Sequence, residues 1–320
     1  MSSRTSETVD QPDAAQVVDS MERMGGGPYP GYRRSSAKGS CFVGTFTPTG
    51  EAAALTTAAH LQYQQVPVTV RFSNSEGNPH TPDAAPVTRG MATRFHLPDS
   101  TETDLLGITV PLFVASTPQE FLGLTEALRP DPTTGHPDPA TVQAYVAAHP
   151  HLAPAVMQQP PVPVSYGSAA YWAIHAFIWA DARGGRQPVR YRWEPESGRA
   201  VLTTEEAATR TADYLTEEFH ERLRSGPVAF TLRVQLGEDG DPTHDPTTPW
   251  PDTRKELTAG RLELTAPVQD QEHWSGQRFD PTRITAGITL SDDPVLAFRA
   301  HAYAESFDRR SRRQRGGWSG

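Results

Sequence analysis

Strict alternation recurs along the chain. Val68, Val70 and Phe72 put apolar side chains on one face of an extended segment, while Arg71 and Ser73 share the other. Val228, Phe230, Leu232, Val234 and Leu236 alternate with Ala229, Thr231, Arg233 and Gln235 in the same way. Cys41 to Phe46, Met91 to Leu97, Val189 to Trp193 and Arg261 to Thr265 also read as short strands, and so does Tyr171 to Phe177. This many short strands in one chain predict a closed antiparallel barrel. Helical spacing interrupts them. Pro118 to Leu128 is one candidate helix. Thr203 to Arg224 is the clearest, with Thr203 and Glu206 as a capping box and a stripe of Ala208, Ala212, Leu215, Phe219 and Leu223. Pro-rich connections lie at 129–139, 158–164 and 238–253, and no internal repeat is present. The strand at Leu262 rejoins the same body, so the expected organisation is one domain over 25–310. A flexible polar arm precedes it (1–24) and a basic tail follows (311–320).

Composition narrows the class. A chain of 320 residues with 36% hydrophobic and 21% charged positions suits a globular protein with a real core. The formal net charge of -9 argues against nucleic acid and anionic membrane as partners. A single cysteine, Cys41, excludes an intramolecular disulfide and any multi-cysteine metal site. The polar, acidic start lacks a secretory pattern, and no stretch approaches the ~20 apolar residues of a membrane span. The expected location is therefore the cytoplasm.

The candidate chemistry begins near the C-terminus. Asp293-Pro294 followed by Val295, Leu296, Ala297 and Phe298 starts a helix on which Arg299 and Tyr303 are i,i+4 neighbours. A cation beside a phenol favours the phenolate, which is a good ligand for ferric iron. Such a pair is common by chance, and by itself it reads as a cation over an aromatic ring.

The pair does not stand alone. Tyr32 to Gly39, Val70-Arg71-Phe72-Ser73-Asn74, Arg89-Gly90-Met91-Ala92, Asp104-Leu105-Leu106-Gly107 with Pro111-Leu112-Phe113, and Arg299 to Tyr303 with Arg310 resemble, in order, five segments of the catalases. FTPTGEAAAL, PVTVRFSN and FDPTRITAGI resemble most the small catalase-related peroxidases. The resemblance implies an α+β fold, a catalase-type antiparallel β-barrel with helices packed around it and a haem b held inside the barrel. It makes Tyr303 the iron ligand, kept anionic by Arg299. It pairs Arg33, Arg71 and Arg310 with the haem propionates, and sets Phe113 and Phe121 near the distal side. For Arg33 and Arg310 a solvated basic surface, shared with Arg34, Arg309, Arg312, Arg313 and Arg315, is the plainer reading.

The distal side departs from the family pattern. Ser36 stands where the resemblance implies a histidine that moves a proton between the peroxide oxygens, and a serine is no substitute base. Ile108 stands in place of a distal asparagine. Ser73 matches a serine that supports the histidine. Natural divergence and an introduced substitution both account for Ser36. Among the histidines, His60, His80 and His96 match ordinary positions, His175 reads as a structural residue in an apolar strand, and His301 points away from the iron. The expected activity is haem-dependent, peroxidase-like oxidation of a small organic molecule with peroxide, with little catalase activity. The alternative is a haem enzyme of specialised biosynthesis that acts on an iron-bound organic substrate without cleaving hydrogen peroxide. A non-catalytic haem protein is a third reading. A homodimer is an allowed assembly.

Overall fold

Alternating segments pair with their sequence neighbours. β1 (Gly39–Pro48), β2 (Val66–Asn74), β3 (Arg89–His96) and β4 (Glu102–Ile108) form one antiparallel meander, and β5 (Tyr171–Ala180), β6 (Arg186–Pro195), β7 (Val228–Leu236) and β8 (Glu256–Pro267) form a second. β1 pairs with β8, and Ile108 of β4 meets Trp172 of β5, which closes the eight strands into a barrel. A short β9 (Ile288–Leu290) extends the sheet on β5. A computed structural model describes residues 12–316, with side chains described over 12–311.

Aromatic contacts between strands that are not neighbours identify the interior. Phe72 of β2 lies 5.7 Å from Tyr171 of β5 and 6.2 Å from Phe230 of β7, centroid to centroid. Phe95 of β3 stacks 6.5 Å from Trp193 of β6. Val68, Val70 and Phe72 therefore face inward, and full burial of each such side chain stabilises by about 1.5–3 kcal/mol. Thr69, Arg71 and Ser73 face outward but are also buried. The chain after β8 covers them: Arg94, opposite Thr69 on β3, donates to the Arg278 carbonyl at 2.5 Å, and Asp104 of β4 accepts from the Asp280 amide at 2.9 Å.

The helices lie outside. They are α1 (Ala14–Met24), α2 (Pro118–Ala127), α3 (Pro139–Ala148), α4 (Ala153–Val156), α5 (Thr204–Ala208), α6 (Tyr214–Ser225), α7 (Gln271–Gly276) and α8 (Pro294–Gly316). Among the described residues no helix is long and apolar enough to cross a membrane.

Three expectations about local structure need correction. The helix over 203–224 divides into α5 and α6. Its capping box is present, with Thr203 and Glu206 bonded reciprocally, but the chain opens at 209–213. There the Ala212 carbonyl accepts from the Asp83 amide at 2.8 Å and from Lys38 Nζ at 2.5 Å, so tertiary bonds replace helical ones. Leu215 and Phe219 are buried, whereas Ala208 and Ala212 are exposed. The flexible arm expected over 1–24 contains α1, capped by Asp13 and Gln16, with Val17 and Val18 each only 1% exposed. The basic tail expected from 311 onward continues α8 to Gly316. The remainder of both expected segments, 1–11 and 317–320, lies outside the described residues.

Candidate functional site

α8 begins on a buried carboxylate. Asp293 Oδ1 accepts from the amides of Val295 and Leu296 at 2.8 and 3.2 Å, an N-cap ahead of Pro294. Its other oxygen accepts from His175 Nδ1 at 2.6 Å. Across the imidazole, Arg299 Nη1 lies 2.9 Å from His175 Nε2, and Arg299 Nη2 donates to Tyr303 Oη at 2.6 Å. Arginine only donates, so Nε2 must accept and the ring proton sits on Nδ1, facing Asp293. His175 is therefore neutral. Burial holds its pKa below the usual value, partly offset by Asp293 and reinforced by Arg299. The tautomer, the rotamer of Arg299 and the position of the Tyr303 oxygen are fixed by one chain of bonds from the cap of the same helix. Phe113, the first of the two rings expected near the distal side, lies 6.1 Å from His175 and stacks on Phe121 at 5.5 Å.

Beside Tyr303, three guanidiniums converge. Arg33 donates to the Gln277 carbonyl at 2.6 Å, Arg310 to the Gly276 carbonyl at 2.8 Å and Arg71 to the Ser36 carbonyl at 2.9 Å. Among the described residues none has a carboxylate partner within ion-pair distance. Their pKa values fall in consequence. Burial lowers Arg33 most, followed by Arg71 and Arg310; burial, then Arg71 and Arg34, bring Arg310 down to about 10. Arg71 is lowered by burial, and its Nε is buried without a partner. Tyr303 lies close enough to both Arg33 and Arg71 to act on them electrostatically.

The neighbouring arginines behave differently. Arg34 pairs with Glu22, and Arg309 with Asp19, Glu22 and Glu305. α1 thus neutralises Arg34 and Arg309 and leaves Arg33 and Arg310 without a carboxylate partner. This rules out a uniformly solvated basic surface for those four; the side chains of Arg312, Arg313 and Arg315 lie outside the described residues. A dianion carrying two carboxylates and wide enough to touch all three arginines fits this arrangement, and haem, with its propionates, is such a group. Tyr303 adds a phenolic oxygen beside them.

The distal candidates share the outer barrel wall. In register, Gly39, Ser73, Gly90 and Ile108 form one row across four strands, on the same face as Arg71. A Cβ on Gly90 would stand 3.0 Å from Ser73 Oγ, so glycine keeps this wall flat. Ser36 lies just before the row in a left-handed turn, φ +57°. Its amide donates to the Ser75 carbonyl at 3.3 Å and its carbonyl accepts from Arg71. Arg71, Ser73 and Ile108, expected around a haem inside the barrel, thus lie on its outer wall. The barrel interior is filled by aromatic and aliphatic side chains, and the candidate site residues on the strands face outward.

His60 is buried against Phe95 at 4.5 Å, and desolvation pushes it down to about 3. His96 bonds Thr69, and His80 and His301 are exposed. His175, read from sequence as a structural residue, is the one that joins the site, together with Asp293. Its one sequence signal is a polar ring inside the apolar run Tyr171 to Phe177.

Residues 30–314 match the family model described as catalase. The chain is 40% identical to a catalase-related peroxidase of Mycolicibacterium paratuberculosis, over 94% of this chain and 96% of the relative. It is 35% identical to a catalase-related peroxidase of Synechococcus elongatus, over 88% and 84%. A solved bacterial catalase superposes with a TM-score of 0.81 at 22% identity, covering 96% of this chain and 64% of that one. A fungal catalase gives 0.79 at 20% identity, covering 92% and 62%. The chain thus spans less than two thirds of the length of these two solved catalases.

Proposed function

Because this chain belongs to the catalase family, we propose that it is a haem-b-dependent, peroxidase-like oxidoreductase that oxidises a small organic molecule with peroxide and has little catalase activity. The observation that carries the reading is the bond chain Asp293–His175–Arg299–Tyr303 ending beside three arginines, Arg33, Arg71 and Arg310, that lack carboxylate partners, the last two of them buried. Haem, when bound, supplies an iron centre able to exchange electrons with peroxide and donor. Arg33, Arg71 and Arg310 hold the propionates. Arg299 places a charge-assisted donor on Tyr303 Oη, which stabilises negative charge on that oxygen. His175 and Asp293 keep Arg299 from turning away.

The low catalase activity follows from proton handling. Splitting the O–O bond heterolytically requires a proton to move from one peroxide oxygen to the other, and a positioned acid–base group contributes about 10²–10⁴-fold. Ser36 is too weak a base for that transfer, and Ile108 donates no hydrogen bond. The same two residues favour a second reading, in which the pocket oxidises or rearranges an organic substrate without cleaving hydrogen peroxide.

The experiment is stopped-flow mixing of the ferric protein with peroxide, for the parent and for Ser36→His. Histidine is among the side chains that tolerate a left-handed turn, so the substitution suits φ +57° at this site. A slow parent reaction that histidine accelerates at least tenfold supports the proposal. A fast parent reaction left unchanged by histidine assigns the proton transfer to another group. A parent inert to peroxide whose spectrum shifts with an organic ligand supports the second reading.

A further inference from the structure

We propose that Arg190 is a positioning residue for the Asp293–His175–Arg299 relay: it ties the 238–253 connection to the barrel and sets a cation beside the Asp293–His175 pair. In this it rests on the function proposed above, since the relay matters where haem sits beside Tyr303.

β5 and β6 lose register at the relay. Ala173 pairs with Tyr191 and Phe177 with Val189, so residues 174–176 stand opposite Arg190 alone. A bulge of this kind re-aims a side chain, and His175 lies within it, bonded to Asp293 and Arg299. Arg190 directs its own donors to the loop. Nη1 donates to the Thr248 carbonyl at 2.9 Å and Nη2 to the Asp245 carbonyl at 3.1 Å, while the guanidinium lies 4.7 Å over the Trp250 ring. The loop in turn reaches two neighbours of His175. Thr243 Oγ1 donates to Asp292 Oδ1 at 2.6 Å, one residue before the α8 cap, and the Pro246 carbonyl accepts from the Phe113 amide at 3.0 Å.

Charge gives Arg190 a second effect. Among the described residues it has no carboxylate within ion-pair distance: Asp241 of the loop pairs with Arg254, and Asp245 accepts from Thr247 and Thr248. Its Nε is buried without a partner. Burial brings Arg190 down to about 10, and Asp293 is the first of the charges that offset this. The charged groups facing His175 are Asp293 and Arg299 of α8 and Arg190 of β6. A second ring proton would set an N–H on Nε2 against the Arg299 donor, so the relay holds only while His175 is neutral. A cation at position 190 disfavours that proton.

The test is amide exchange of 238–253 together with a pH titration of the ferric absorption spectrum, on the full chain and on Arg190→Gln and Arg190→Lys. Glutamine keeps a donor and loses the charge; lysine keeps the charge and loses the planar fork. Both variants should exchange 238–253 about tenfold faster. Only Arg190→Gln should move the acid change of the spectrum to higher pH, by roughly half a unit. Parent-like exchange in both variants, a midpoint unmoved in Arg190→Gln, or one moved equally in both overturns the proposal. Should Arg190→Gln fail to fold, Arg190→Lys decides alone: faster exchange at the parent midpoint supports the proposal, and any other result overturns it. A parent without a haem spectrum overturns the haem reading instead, and the exchange measurement then decides whether Arg190 holds the loop.

Discussion

Arg309 and Arg310 are adjacent on α8 but end in opposite surroundings. Arg309 meets Asp19, Glu22 and Glu305, whereas Arg310 turns to the Gly276 carbonyl and faces Arg71 and Arg34. Removing one should therefore resemble neither in kind nor in readout the removal of the other.

Arg310→Ala and Arg71→Ala should weaken haem retention. Each leaves a propionate short of a charge-assisted partner worth about 1.5–3 kcal/mol, or roughly 10- to 150-fold in affinity. The apoprotein should lose little stability, because repulsion between buried cations is relieved. Arg309→Ala should do the reverse, loosening α1 from α8 with smaller change in haem affinity. Haem transfer to an acceptor apoprotein and thermal melting separate the two. Unchanged haem affinity in both Arg71→Ala and Arg310→Ala would make these arginines structural only.

Asp293→Asn should keep the helix cap, since an amide oxygen can still accept from Val295 and Leu296. The other side-chain atom then donates instead of accepting, so His175 Nδ1 loses its proton acceptor. The ring must carry its proton on Nε2, where it opposes the Arg299 donor at 2.9 Å. The expected result is a fold of near-parent stability with an altered ferric spectrum. A parent-like spectrum would show that the relay does not orient Arg299.

Acid should destabilise the protein in part through His60. Its folded pKa, about 3, lies below the unfolded value of 6.5. The unfolded chain binds the extra proton between those values, so stability is complete above 6.5 and falls as pH drops toward 3, by up to about 1.4 kcal/mol per pH unit. His60→Leu should flatten the decline. Denaturant unfolding at pH 6 and pH 4 measures it; equal slopes in parent and variant would place the titration elsewhere.

Much of the fold was legible because alternation of period two specifies which face of each strand is inward, and the pairing of Phe72 with Tyr171 and Phe230 honours it. The Arg299–Tyr303 pair was legible because i,i+4 spacing is local. His175 and Asp293 were not, since they meet across 118 positions and neither neighbourhood announces the other. α1 was hidden by its polarity, with two buried valines and a capping box as its only marks. The split between α5 and α6 was hidden because Asp83 and Lys38, which take the Ala212 carbonyl, are remote in sequence. The haem was expected inside the barrel although the strand pattern already spoke against it: Arg71 and Ser73 alternate with Phe72, so a packed interior puts them outside.

The most direct test of the account is the ferric absorption spectrum and haem content of Tyr303→Phe beside the parent. Tyr303 Oη is the single phenolic oxygen bonded to Arg299, and phenylalanine keeps the ring but removes that oxygen. The account predicts a high-spin tyrosinate spectrum in the parent, and in the variant a changed spectrum with reduced haem content. An unchanged spectrum at full haem content would contradict it and place the iron ligand on another residue.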